Sequence, residues 1–155
     1  MGRWDHLYEL KPVPLSEALV EEAARLLAQD LALWPPAVES WTSEQDAARF
    51  GPLLAAGAPR PEAGVWAAAF RLARLELMRE FEQIDEFMRS EGWRAHFGPG
   101  AGLDQMIFLS RYLTEHMLSL AEATEGRIKR AQLVDLLLRA ERRLKGPPSI
   151  VAPPA

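Results

Sequence analysis

Residues 61–92 read PEAGVWAAAFRLARLELMREFEQIDEFMRSEG, and this stretch decides the fold class. Trp66, Phe70, Ala73, Leu77, Phe81, Ile84 and Met88 recur at spacings of four and three, the period of one helix face. Arg71, Arg74, Glu82, Asp85 and Arg89 fall on the opposite side. Pro61 suits a first helical turn and Gly92 a stop, so the pattern predicts one helix over about 61–91. At about 1.5 Å per residue such a helix would be about 45 Å long, the central spine for shorter neighbours.

Towards the N-terminus, Lys11-Pro12-Val13-Pro14 forbids a helix interior and predicts an extended arm over 1–15. Ser16 then reads as the N-cap of a helix whose Glu17, Glu21 and Glu22 sit near its positive dipole end. That helix buries Val20, Ala24, Leu27 and Leu31 and must stop by Trp34-Pro35-Pro36. Thr42 or Ser43 caps a short second helix, which Gly51-Pro52 interrupts before a possible further turn over 52–56.

Towards the C-terminus, Gly98-Pro99-Gly100-Ala101-Gly102 is a loop before a helix over about 103–124, with Met106, Leu109, Leu113, His116 and Leu120 on one face. Gly126 breaks the run, and a last helix over about 127–145 ends at Gly146-Pro147-Pro148. The tail, 146–155, is uncharged and proline-bounded. Strand signals are nearly absent, with no alternating run of length and no Asn-Gly or Asp-Gly turn. The expectation is an all-α, single-domain bundle of four to five helices over 16–145 around a long central helix, with an N-terminal arm and a Pro-rich tail.

The 155 residues suffice for one core, and 48% hydrophobic with 26% charged residues is an ordinary globular composition. The absence of Cys excludes disulfides, thiolate metal sites and Cys nucleophiles. Val65–Phe70 is the longest apolar run, far below a membrane span, and no signal-peptide pattern follows Met1, so a cytoplasmic location is expected. Fifteen Arg against three Lys, with no Asn, fits a GC-rich bacterial genome.

The net charge of −4 is unevenly distributed. Residues 1–126 hold 20 acidic and 11 basic side chains, net −9, whereas residues 127–155 hold seven basic and two acidic, net +5. Lys129, Arg139, Arg142 and Arg143 therefore mark a basic last helix able to contact phosphates or an acidic partner. The structural alternative is that these cations complement the helix dipole and neighbour the acids Glu80, Glu82, Asp85 and Glu86. Ile150 and Val151, between proline pairs in the tail, are further candidates for partner contact.

His6, His96 and His116 are the only imidazoles, and no His-Glu-x-x-His or Glu-x-x-His pair occurs, so neither metal nor cofactor is expected. Glu76 and Glu80 lie one turn apart and could form a paired-carboxylate site, although solvated carboxylates are the commoner arrangement. Arg111 and His116, and likewise Arg89 and His96, are spaced as Arg-x4-His and Arg-x6-His, which resembles the motif of HEPN-type helical ribonucleases. That resemblance implies metal-independent RNA cleavage, with the guanidinium neutralising a phosphate and the imidazole moving a proton. Tyr112 departs from the polar residue usual after the Arg, and an ideal helix sets Arg111 and His116 about 140° apart. The expected function is a non-catalytic helical interaction or adaptor protein, part of a larger assembly or a homo-oligomer. The alternatives are a nucleic-acid-associated subunit using the basic helix, and the HEPN-like ribonuclease.

Overall fold

The computed structural model describes residues 15–36, 43–55, 57–89 and 102–145; the arm before Leu15, the tail after Lys145, Trp41, Trp93, His6 and His96 lie outside them. Six α-helices and one 3-10 turn make up the described residues, with no strand among them. Helix α1 is Glu17–Ala32, α2 Glu44–Phe50, α3 Ala63–Leu77, α4 Phe81–Arg89, α5 Gly102–Ala123 and α6 Arg130–Lys145, and the 3-10 turn Gly51–Leu54 follows α2. The all-α bundle is as the periodicity requires.

Local signals place most boundaries. Ser16 Oγ accepts from the Leu19 amide at 3.3 Å to start α1, and Ser43 Oγ accepts from the Asp46 amide at 3.1 Å to start α2. Pro52, lacking an N–H, converts the end of α2 into the 3-10 turn. At the other end of α1, the orphan carbonyls of Leu31 and Ala32 accept from Arg60 Nη1 at 3.2 and 3.0 Å.

One expectation is overturned. The helix over 61–91 is two helices, because α3 stops at Leu77 and the chain turns through Met78-Arg79-Glu80 before α4. Arg79 adopts φ 55°, its amide donates to the Glu76 carbonyl and the Glu80 amide to the Leu75 carbonyl, both at 3.1 Å. This pair of bonds is the Schellman closure of a helix end, built here without glycine. The turn carries Phe87 back onto α3, where Arg71 lies 5.5 Å from its ring centroid. Phe81, expected inside, is 66% exposed, and Ile84 and Met88 are only half-buried. Among the described residues the longest helix is instead α5, with 22 residues. Its end repeats the device, with Glu125 at φ 57° and Gly126 at φ 78°.

Helix α3 nevertheless remains central. Its Val65, Ala69, Phe70 and Ala73 are buried against α5 and α6. Gln105 Nε2 donates to the Pro59 carbonyl and Thr114 Oγ1 to Glu76 Oε2, so α3 and α5 run in the same direction. Gln132 Nε2 reaches the Leu15 carbonyl and Arg143 reaches Glu21, so α1 and α6 also run together. One core joins all six helices, from Leu27 of α1 and Phe50 of α2 to Leu109 of α5 and Leu137 of α6. Burying each such side chain stabilises the fold by roughly 1.5–3 kcal/mol. Trp34, at the exit of α1, stands edge-on to Trp66 and Phe108 at 5.9 and 6.5 Å and closes one end.

The left-handed turn gives a test whose sign depends on it. Replacing Arg79→Gly removes the Cβ cost of a positive φ and should raise the stability measured by urea unfolding, by about 0.5–1 kcal/mol. In an uninterrupted helix the same change would lower stability by about 1 kcal/mol.

Candidate interaction surface

Helix α6 carries its cations on its flanks. Glu17 and Glu21 stand one turn apart on α1, and Asp135, Arg139 and Arg143 at four-residue steps on α6. Because the two helices run together, these rows meet. Arg139 contacts Glu17 Oε1 at 2.8 Å, Glu21 Oε2 at 3.0 Å and Asp135 Oδ2 at 2.9 Å, with its own side chain 18% exposed. Arg143 contacts Glu21 Oε1 at 2.6 Å. The hydrogen bonds from Arg143, and then from Arg139, hold the Glu21 carboxyl below its ordinary value. The three carboxylates in turn raise the pKa of Arg139 still further above the physiological range.

The acids that face the basic helix are therefore Glu17 and Glu21, in place of Glu80, Glu82, Asp85 and Glu86. On the other flank, Glu141 is buried between α6 and α3, with Arg74 Nη1 on Oε1 at 2.9 Å and Lys145 Nζ on Oε2 at 3.1 Å. Arg74, placed by its spacing opposite the apolar stripe, is thus an inter-helix contact.

Of the candidate partner-binding residues, Arg139 and Arg143 are engaged inside the molecule, Lys129 and Arg142 are exposed, and Ile150 and Val151 lie outside the described residues. Arg127, Lys129, Arg130 and Arg142 have no acidic partner among the described residues. The first three cluster at the start of α6, where Gln132 Oε1 accepts from the Lys129 amide at 2.8 Å. Cations there oppose the helix dipole, an unfavourable placement for stability alone.

Arg111 and His116 are directed to different neighbours. Arg111 Nη1 contacts Asp46 Oδ1 at 2.8 Å, with its guanidinium 5.5 Å from the Phe50 ring centroid, tying α5 to α2. His116 is half-buried and stacks on Tyr112 at 6.3 Å. Burial pushes its pKa below the ordinary imidazole value against the opposing pull of Asp30. Glu76 and Glu80 belong to opposite sides of the Arg79 turn, and Glu76 accepts from Thr114 at 3.2 Å. Among the described residues no three His, Asp or Glu converge as a metal site.

A feature missed in the sequence is an apolar ridge on α1. Leu19 and Leu26, one heptad apart on α1, are 55% and 49% exposed, away from the buried Val20, Ala24, Leu27 and Leu31, and the C-cap residue Leu33, in extended backbone just past the helix end, continues the edge at 76% exposed. On an ideal helix Leu19 and Leu26 fall within about 20° of each other. The signal was present as the heptad spacing, hidden by the many other leucines of the segment. Comparison of the chain with protein-family models, curated proteins and solved structures finds no match.

The α1–α6 ion pairs predict a pH dependence of definite sign. Because the Glu21 pKa is lowered in the folded state, its contribution is complete above the unfolded value of about 4.3 and is lost as pH falls through the lowered one. Arg139→Ala and Glu21→Gln should each lower the urea midpoint at neutral pH, less than additively in combination. The gap between wild type and Glu21→Gln should shrink as the solution is acidified through that range.

Proposed function

We propose that this chain is a non-catalytic helical interaction protein, a subunit of a homo-oligomer or of a larger assembly, which docks through the outer face of α1. The observation that carries this reading is the leucine ridge at 19, 26 and 33. Scattered exposed leucines are ordinary, whereas two a heptad apart on a helix, continued by a third at its C-cap, present an apolar edge of the kind buried in helix pairing. The ion pairs to α6 hold α1 in place, so the ridge is presented by a preorganised element and its burial loses little conformational entropy. Size exclusion with light scattering should give a mass that is a multiple of 17.4 kDa, and Leu26→Glu should return it to the monomer with unchanged helicity. A wild-type monomer at about 100 μM, with Leu26→Glu altering no association with any co-purified partner, overturns the reading.

A second reading, association with nucleic acid, is favoured by Arg127, Lys129 and Arg130, which no acid among the described residues pairs. It moves the contact from Arg139 and Arg143 to the start of α6. Three phosphate contacts predict that duplex DNA affinity falls about 40-fold between about 50 and 200 mM salt in fluorescence anisotropy. Lys129→Glu with Arg130→Glu should remove binding while the fold persists; a salt-independent affinity overturns this reading.

A further inference from the structure

We propose that the cavity between the start of α3 and the end of α6 binds a small organic anion with a flat apolar body, of the aromatic-carboxylate class. Its volume is about 230 Å³. Trp66, Phe70 and Leu144 supply apolar walls, and Arg60, Glu141 and Lys145 supply the charges. An apolar cavity of about 150 Å³ accepts benzene, so this space accommodates a ring with a short carboxylate arm.

The chemistry of the lining selects the ligand. The Trp66 indole N–H is already donated to the Pro61 carbonyl at 3.0 Å, so the ring offers apolar contact and asks for no acceptor on the ligand's ring. Glu141, the only lining carboxylate among the described residues, has one oxygen engaged by Arg74 and the other by Lys145. Among the described residues at the cavity, Arg60, Lys145 and Arg74, the partner of Glu141, thus bring three positive charges against one negative charge. Lys145 Nζ stands 3.1 Å from Glu141 Oε2 as an ion pair, and its side chain is 60% exposed. Arg60 uses Nη1 on the Leu31 and Ala32 carbonyls, while its Nε and Nη2 have no partner among the described residues. Its guanidinium lies 5.1 Å from the Trp66 ring centroid, which fixes the cation beside the apolar wall. A ligand carboxylate between Arg60 and Lys145 would receive charge-assisted hydrogen bonds while its ring packs on Trp66 and Leu144, with Phe70 behind them. A neutral ligand would leave the excess positive charge uncompensated. A dianion would place its second charge close to Glu141.

The site is separate from the α1 ridge, and its test is independent of oligomeric state. The full chain is titrated with phenylacetate, 2-phenylethanol and acetate, following backbone and indole N–H signals by two-dimensional NMR. Saturable shifts at the Trp66 indole N–H, Phe70 and Leu144 are expected with phenylacetate, at a Kd of about 1 mM or below. Affinity for 2-phenylethanol should be about tenfold weaker or more, as expected for losing a charge-assisted bond, and acetate should leave the indole signal unmoved. Lys145→Met should weaken phenylacetate about fivefold or more and leave 2-phenylethanol unchanged. The absence of saturable shifts at about 10 mM phenylacetate, or equal binding of 2-phenylethanol by the wild type, overturns the proposal, and neither result requires the variant to fold. An unchanged phenylacetate Kd in folded Lys145→Met overturns it as well.

Discussion

Glu141 is a carboxylate 8% exposed at the junction of α3 and α6, and the arrangement of the bundle follows from the need to neutralise it. Left unpaired, a buried carboxylate costs several kcal/mol, more than a single aliphatic contact returns. Arg74 meets this need from α3 and Lys145 from the next turn of α6 itself. Sliding α6 by one residue along α3 would separate Arg74 from Glu141, so the pair fixes register where the aliphatic contacts alone do not. Leu133, Leu136, Leu137 and Ala140 pack α6 into the core, but similar side chains would pack in neighbouring registers. The Arg139 and Arg143 contacts on the opposite flank then fix α6 against α1. Exposed ion pairs taken singly contribute about 0–1 kcal/mol, so the effect of this row lies mainly in specifying which helices adjoin.

The turn at Arg79 is the second constraint. By reversing the chain after Leu77 it limits α3 to 15 residues, the length that the α5 and α6 contacts cover. It also leaves Met78 and Phe81 exposed at the tip of the α3–α4 hairpin. The Schellman bonds satisfy the last carbonyls of α3, and Phe87 resting near Arg71 makes the reversal more favourable than continuation.

Much of this was legible in residue order. Ser16 and Pro52 mark changes of local structure that depend on near neighbours, and Val20, Ala24, Leu27 and Leu31 lie inward as their spacing demands. The break at Met78-Arg79-Glu80 was not legible, because no Gly or Pro stands there and the apolar period continues through it. What stabilises it, Phe87 on Arg71, lies on a helix that exists only after the chain has turned. The +5 of the last helix was legible as a sum, and its partners were not. Charge arithmetic does not report helix adjacency, and Glu17 and Glu21 also make sense as acids at a helix N-terminus. The cavity was invisible for the same reason: Trp66 and Lys145 are 79 positions apart in the chain.

The distribution of charge bears directly on how the protein recognises others. An acidic chain with one basic helix invites an electrostatic partner, yet Arg139 and Arg143 find their acids on α1 and Lys145 finds Glu141. Charges paired at such distances cancel beyond a few ångströms, so they steer little at long range. The same contacts hold α1 with Leu19, Leu26 and Leu33 turned away from the core. Internal pairing of the basic helix and outward display of the leucines are thus two consequences of one arrangement. The docking proposed at α1 would then draw its free energy from apolar burial, with salt acting only through the stability of the ion pairs behind it.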